Sequence, residues 1–266
     1  FFGGLLFGLG MVLANGCASR ALVLLCKGNL RSLVVITVIG ITAQMTLKGL
    51  IAPARIAFLD WTKTAPTAVS VPALLNTMGL DDIAARLIAA LIASGALLIY
   101  AFSDKQFRRS YGQIAAGLII GLLVVAGWAA TGWFAADDFN PIPVASLTFV
   151  SPIADSVQYT MLSTGLTLNF GIALVVGVLV GSLATATLTG RFAFEGYTSV
   201  AHTGRSLAGA AFMGIGGAMA YGCSIGQGLT GVSTLALASF IALAGILSGA
   251  AFAIHSRTRL LAFAFR

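Results

Sequence analysis

Two cysteines stand directly after a glycine in apolar sequence, one near each end of the chain, and they are the residues best suited to chemistry. Cys17 ends the run Gly-Met-Val-Leu-Ala-Asn-Gly-Cys, and Cys223 ends the run Gly-Gly-Ala-Met-Ala-Tyr-Gly-Cys. A cysteine offers a soft, polarizable sulfur and a weak S–H donor, and both suit a ligand that itself contains sulfur. The candidate binding residues are Asn15, Gly16, Cys17, Gly222, Cys223, Ser224 and Gln227.

The surroundings of the second cysteine favour an anion as the ligand. Gly226, Gly228 and Gly231 let the backbone approach a ligand closely. Backbone N–H groups at the start of a helix carry partial positive charge, so an uncharged loop at a broken helix suits an anion. Intramembrane acids and bases are scarce, which argues against a proton relay built on Asp or Glu.

The two motifs belong to a longer internal match. At an offset of 206 residues, six of the fifteen positions from Gly3 to Cys17 are identical, and four of the six are glycines. Small-residue packing between helices explains the glycines equally well, but it does not explain two matched cysteines. We therefore predict one transmembrane domain over 1–266 with repeats at 1–103 and 112–266, the start of the first repeat lying before Phe1.

Composition predicts an all-α, polytopic helical membrane protein. Hydrophobic residues make up 58% of the chain and charged residues 9%, and the mean hydropathy is +0.99. Soluble domains carry about 25% charged residues, and a bilayer takes about 20 apolar residues per helix. The apolar segments lie at 1–16, 31–50, 83–103, 112–134, 163–187, 206–222 and 232–254.

The segments that carry the motifs are short and rich in glycine. Segments 1–16 and 206–222 each end at their Gly-Cys. Discontinuous or re-entrant helices of transporters share these features, because polar backbone at membrane depth is tolerated where it lines a cavity. We expect two short broken half-helices that carry the Gly-Cys motifs.

The distribution of charge predicts an orientation, because Lys and Arg gather in cytoplasmic loops. The basic loops at 104–111 and 188–205 are expected inside, and the acidic loop at 135–162 outside. The two motifs then have opposite orientations, which is an inverted repeat. Lys48, Arg55 and Lys63 do not fit, since they would lie outside, and segment 51–82 is expected to fold back on the membrane surface.

Other classes of protein are disfavoured. The sequence has no Walker A loop, no supported Ser/His/Asp order and no intramembrane carboxylate pair, so neither catalytic residues nor an enzyme is expected. Three cysteines make no complete disulfide framework, no Cys/His spacing suits zinc, and we expect no metal or other cofactor. Cys26 is expected to be a small buried hydrophobe. The net charge of +7 fits cytoplasmic loops better than nucleic-acid binding.

Two stretches resemble the YeeE/YedE sulfur-transport family. The first is Gly-Met-Val-Leu-Ala-Asn-Gly-Cys17-Ala-Ser followed by Lys27-Gly-Asn-Leu-Arg-Ser-Leu. The second, longer and more specific, is Gly214-Ile-Gly-Gly-Ala-Met-Ala-Tyr-Gly-Cys-Ser-Ile-Gly-Gln-Gly-Leu-Thr-Gly-Val-Ser-Thr. The arrangement of segments resembles the family over most of the chain, and the residues themselves resemble it strongly only in these two stretches. It implies a permease of the bacterial inner membrane that imports thiosulfate or a related small sulfur-containing anion.

The resemblance also implies a mechanism and a partner. Members of the family pass thiosulfate inward through non-covalent S–H···S contacts, between half-helices that meet near the membrane centre. Cys17 and Cys223 match the relay positions, and some members work with a TusA-like sulfur-carrier protein in the cytoplasm. Two features depart from the family pattern: a further N-terminal cysteine is expected before Phe1, and Arg20 replaces a small or polar residue. Arg20 either assists anion release or marks the membrane interface.

The same residues leave other functions open. A membrane redox or persulfide protein would use Cys17 and Cys223 covalently, whereas a channel-like pore for another solute would need the half-helices but no thiols. Among permeases, the candidate substrates are thiosulfate, sulfite, selenium compounds and other small sulfur anions.

Overall fold

A computed structural model of the protein describes residues 1–62, 69–77, 79, 81–134, 143–196 and 200–264. Every regular element in these ranges is a helix, which confirms the all-α prediction. The α-helices are α1 (Phe2–Leu13), α2 (Ala18–Cys26), α3 (Leu30–Leu47), α4 (Ala52–Trp61), α5 (Val71–Asn76), α6 (Asp82–Ser103), α7 (Lys105–Arg109), α8 (Tyr111–Ala129), α9 (Val150–Met161), α10 (Phe170–Leu188), α11 (Val200–Met219) and α12 (Leu237–Ala264).

Within the described ranges, six helical stretches are long and apolar enough to cross a membrane. They are Phe2–Cys26, Leu30–Leu47, Asp82–Ser103, Tyr111–Phe134, Phe170–Leu188 and Leu237–Ser256. Each of the seven apolar segments contains a helix, but several boundaries differ, among them the starts of α10 and α11 and both ends of α12. The helix predicted from 163 begins at Phe170, because Asn169 Oδ1 caps it by accepting from Ile172 N–H at 2.9 Å. The helix predicted from 206 begins earlier, at Val200.

The loop predicted at 135–162 is wrong over its second half, where α9 forms a helix. One face of α9 is fully buried, with Ile153 1% exposed and Ala154 0% exposed, and the helix packs on α3 and α10. At 12 residues, with Asp155 in its middle, α9 is too short and too polar to read as a membrane span. Residues 135–142 of this loop lie outside the described residues.

Packing divides the chain into two compact units. The first comprises 1–64, 148–229 and 241–266 and contains both Gly-Cys motifs; the second comprises 65–147 and 230–240. In the second unit, the buried Ser146 hydroxyl donates to Val124 O at 2.7 Å and so ties the chain after α8 back onto that helix. The repeats at 1–103 and 112–266 concern duplication rather than packing, and they remain a prediction.

Glycines bring α1 and α11 into backbone contact at the centre of the first unit. A Cβ on Gly3 would lie 2.6 Å from Ala220 N, and one on Gly209 would lie 2.6 Å from Ala14 N. The start of α1 therefore meets the end of α11, and the two helices are antiparallel. The two contact levels are about 16 Å apart along α1 at 1.5 Å rise per residue. Only small residues allow this approach.

The neighbours of α1 and α11 are related in the same way. A Cβ on Gly8 would overlap Ile246 O of α12, and a Cβ on Gly214 would lie 2.8 Å from Ile39 O of α3. Gly8 and Gly214 are 206 residues apart, and Ile39 and Ile246 are 207 residues apart. Reciprocal contacts of this kind are what a local two-fold axis between two copies produces.

The extra residue in the second offset has a local cause. A π-helical turn occupies Gly226–Gly231, after the second motif, whereas the matching residues after the first motif form the regular helix α2. Hydrogen bonds of a π-helix run from i to i+5, so the turn takes up one more residue than an α-helical turn. The predicted duplication would therefore match α3 and α12, the helices that follow, one residue later.

Candidate functional site

Both motif helices end in the same turn just before the cysteine. At the end of α1, Gly16 N–H donates to Met11 O at 2.9 Å, and at the end of α11, Gly222 N–H donates to Gly217 O at 2.9 Å. Each is the long 6→1 hydrogen bond of a Schellman motif, which closes a helix C-terminus. The two copies of the sequence motif thus adopt the same backbone turn.

This turn requires a left-handed residue before each glycine. Asn15 has φ 58° and Tyr221 has φ 54°. Asparagine tolerates this conformation, whereas for a tyrosine it costs about 1–3 kcal/mol. Arg55 of α4 holds Tyr221 in place: Nη1 donates to the Tyr221 hydroxyl at 3.3 Å, and the guanidinium lies 5.9 Å from the ring centre. Arg55 Nη2 also donates to Leu47 O at 3.5 Å, at the end of α3.

The two motif thiols differ in exposure and in hydrogen bonding. Cys223 is 2% exposed, and its Sγ accepts from Gly226 N–H at 3.3 Å. Cys17 is half-buried, and its Sγ lies 3.1 Å from Ser19 Oγ. Cys26 is half-buried in the last turn of α2, and all three thiols are free.

Cys17 lines a cavity of about 270 Å³ in the first unit. Its wall is formed by the turn before α2, the start of α3 and the segment that precedes α11. Arg20 and Arg31 line the cavity together with Glu195, whose Oε2 accepts from Asn29 Nδ2 at 2.7 Å. The other polar residues of the wall are Asn15, Ser32 and Ser206.

The charge of this wall favours an anion. The lining contains two guanidinium groups and one carboxylate, which leaves one net positive charge, and the carboxylate accepts from Asn29. Arg31 Nη2 also lies 3.1 Å from the ring nitrogens of His202. Guanidinium groups bind oxyanions with paired hydrogen bonds, whereas a thiol suits a soft sulfur. The cavity can therefore accept an anion that has oxygens at one end and sulfur at the other.

The seven predicted binding residues fall into two groups at opposite ends of the α1–α11 pair. The group at the cavity contains Asn15, Gly16 and Cys17. The group at the end of α11 contains Gly222, Cys223, Ser224 and Gln227. Since these ends are about 16 Å apart by the helical rise, one small anion does not touch both thiols at once. Their role in binding remains a prediction.

Several cavity residues escaped the sequence analysis. Asn29 and Glu195 are 166 residues apart, and no motif links them. Asn29 and Arg31 lie in the first stretch that resembles the YeeE/YedE family, but neither was selected as a binding residue. Arg55 was noted only as a charge that did not fit the orientation, although it holds the turn before Cys223.

Comparison with known proteins bears on this arrangement of helices, thiols and arginines. Residues 1–252 match the family described as Sulphur transport. The chain belongs to this Sulphur transport family. The match confirms the resemblance to the YeeE/YedE proteins and the prediction of a transporter rather than an enzyme. With six apolar helical stretches among its described residues, it is a multi-pass membrane protein.

Two curated relatives carry the name thiosulfate transporter TsuA. The protein of Spirochaeta thermophila is 27% identical over 265 residues, which cover 90% of this chain and 72% of the relative. The protein of Escherichia coli is 25% identical over 265 residues, which cover 93% of this chain and 71% of the relative.

Proposed function

We propose that this protein is a permease of the bacterial inner membrane that imports thiosulfate, or a related small sulfur-containing anion, past its cysteine thiols. The observation that carries the proposal is the cavity where Cys17, Arg20 and Arg31 line the same space. Thiosulfate has a soft terminal sulfur and hard oxyanion oxygens, so its two ends match a thiol and guanidinium groups. The names of both TsuA relatives support the same substrate.

An inverted repeat provides the two ends of the path. The reciprocal contacts of Gly8 and Gly214 and the antiparallel packing of α1 on α11 support this arrangement. The charge of the loops favours Cys223 at the outer end and Cys17 at the inner end. The anion moves from one thiol to the other without a covalent bond, and the distance between them requires separate stops rather than one shared site.

On the inner side, a TusA-like sulfur-carrier protein is the proposed acceptor. The resemblance supports this partner, and the exposed segment 191–196 beside the cavity is where it would dock. The segment is fixed to the start of α3, since Leu30 N–H donates to Glu195 O at 2.9 Å.

Uptake of radiolabelled thiosulfate by the protein in proteoliposomes tests the proposed function. We expect Cys17→Ala and Cys223→Ala each to reduce uptake by about tenfold or more, which corresponds to about 1.4 kcal/mol of lost interaction at each stop. Cys26→Ala is the matched control, because Cys26 lies outside both motif turns, and its uptake should equal that of the wild type.

Two other results would identify the alternatives. Full uptake by both alanine variants would contradict the relay, and full uptake by a Cys17→Ser/Cys223→Ser double variant would favour a channel-like pore. A stable mass increase on either cysteine after incubation with thiosulfate would indicate a persulfide carrier, which uses the thiols covalently.

A further inference from the structure

A glutamine side chain folds back over the motif glycine at the Cys223 end. Gln227 Nε2 donates to Ala220 O at 2.7 Å, just past the end of α11. A Cβ on Gly222 would lie 3.1 Å from Gln227 Cγ and 3.2 Å from Gln227 Nε2. Gln227 therefore covers the glycine that precedes Cys223 and binds a carbonyl that the helix itself leaves without a partner.

An arginine side chain covers the motif glycine at the Cys17 end and donates to a carbonyl one position later in the motif. Arg20 Nη1 donates to Asn15 O at 3.4 Å, just past the end of α1. A Cβ on Gly16 would lie 3.2 Å from Arg20 Cδ. Arg20 stands three residues after its cysteine and Gln227 four residues after, and both spacings place a side chain on the same helical face one turn on.

The two covering groups match in place but differ by one positive charge. A guanidinium is permanently charged and has five N–H donors, whereas a carboxamide is neutral. Arg20 is exposed and lines the cavity with Cys17, whereas Gln227 is half-buried. The bond from Arg20 to Asn15 O is long for an N–H···O hydrogen bond, so an oxyanion competes with that carbonyl easily.

We propose that Arg20 and Gln227 are a matched pair of recognition side chains. When the transported anion lies beside the neighbouring thiol, Arg20 releases Asn15 O, Gln227 releases Ala220 O, and each donates to the anion instead. The charge of Arg20 makes the Cys17 end the tighter stop. The neutral Gln227 lets the anion leave the Cys223 end without being trapped. This inference rests on the proposed function and adds the residues that set the affinity at each end.

Thiosulfate binding and uptake by charge-exchanged variants test the pair. Binding is measured by calorimetry on the purified protein at low and at high salt, and uptake is measured in proteoliposomes. Arg20→Gln should raise the Kd about tenfold and reduce its salt dependence, because charge-assisted hydrogen bonds are about twice as strong as neutral ones, while Arg31 still lines the cavity. Arg20→Lys keeps the charge and should retain most of the affinity and its salt dependence.

The reverse exchange gives the opposite result. Gln227→Arg should tighten binding and lower the maximal uptake rate, since the outer stop then holds the anion as the inner one does. Arg86→Gln is the control for net charge, because Arg86 is an exposed arginine of α6 paired with Asp82 at 2.6 Å. Its Kd and uptake should equal those of the wild type.

The outcomes separate this inference from the proposed function. A wild-type protein that takes up thiosulfate, with an Arg20→Gln variant of unchanged Kd and salt dependence, would overturn the inference alone. Weaker binding by Gln227→Arg would overturn it as well, and this variant decides the matter where Arg20→Gln does not fold. A wild-type protein that neither binds nor transports thiosulfate would contradict the proposed function, and the inference with it.

Discussion

Cys17 and Cys223 have different surroundings, and their reactivity should differ accordingly. In single-cysteine proteins, an anionic methanethiosulfonate reagent should modify Cys17 faster than a cationic one of similar size, because Arg20 and Arg31 line the same cavity. Cys223, at 2% exposure, should react slowly with both reagents. Rates are measured by mass spectrometry, and a neutral reagent serves as the control. Faster reaction of Cys17 with the cationic reagent would contradict an anion cavity.

Tyr221 adopts a conformation that tyrosine disfavours, and Arg55 holds it there. Arg55→Gln removes the cation–π contact and the bond to the hydroxyl, and it should lower the free energy of unfolding by about 1–2 kcal/mol. Adding Tyr221→Asn to this variant should restore part of the loss, since asparagine tolerates positive φ as Asn15 does. The melting temperature in detergent measures both effects. An unchanged melting temperature of Arg55→Gln would show that the turn does not depend on this contact.

The sequence identified the two thiols but not the residues that surround them. Matching glycines marked Cys17 and Cys223, because the duplication leaves a pattern within one chain. The partners of the cavity left no such pattern, since Asn29 and Glu195 meet only through the packing of distant segments. From the sequence alone, Arg55 was only a charge that did not fit the predicted orientation, because its contact with Tyr221 depends on the fold.

Among the helices, α1 and α11 contain glycines whose substitution should lower stability, because a neighbouring backbone lies where an added Cβ would be. Gly8→Ala and Gly214→Ala would each force a Cβ into a neighbouring carbonyl, and each should cost about 1–3 kcal/mol of stability. Gly121→Ala in α8 is the matched control, since no atom lies within 4 Å of the added Cβ. That substitution should be neutral or stabilising by about 0.5–1 kcal/mol through helix propensity.

Thermal unfolding of the three alanine variants tests the close backbone packing at Gly8 and Gly214. The reciprocal contacts predict that Gly8→Ala and Gly214→Ala lower the melting temperature by similar amounts. A Gly8→Ala variant as stable as Gly121→Ala would contradict the backbone contact between α1 and α12.

Hydropathy identified the long helices and missed the short ones for a physical reason. A span of about 20 apolar residues stands out against any loop. α2 and α9 have 9 and 12 residues and bury only part of their surface, so their apolar residues are too few to mark a span. Their positions depend on the cores that they pack against, and those cores are not visible in a local window.

For the whole molecule, the orientation of the two motif ends can be measured directly. α3 begins beside the cavity, next to Asn29, and ends at Leu47. Arg55 donates to both Leu47 O and the Tyr221 hydroxyl, so Lys48 lies at the Cys223 end. Thr189 marks the Cys17 end, because it lines a groove with Lys27 just before Asn29. In a cysteine-free protein, Lys48→Cys should be labelled by an impermeant maleimide from outside, and Thr189→Cys from inside.

The labelling result also tests the charges that do not fit the positive-inside pattern. Labelling of Lys48→Cys from outside would mean that Lys48 and Arg55 stand at the entrance, where positive charge attracts an incoming anion. Labelling of both cysteines from the same side would contradict opposite orientations of the two motifs.

A thiol and two arginines form the proposed binding site for a sulfur oxyanion, and anomalous diffraction from crystals soaked in selenosulfate is the sharpest test of this site. Selenium replaces the terminal sulfur of thiosulfate and marks the soft end of the anion. We predict a selenium peak in the cavity in van der Waals contact with Cys17 Sγ, at about 4 Å, with the oxygens directed at Arg20 and Arg31. A cavity without selenium in a protein that transports the same anion, or oxygens directed at the thiol, would contradict this account.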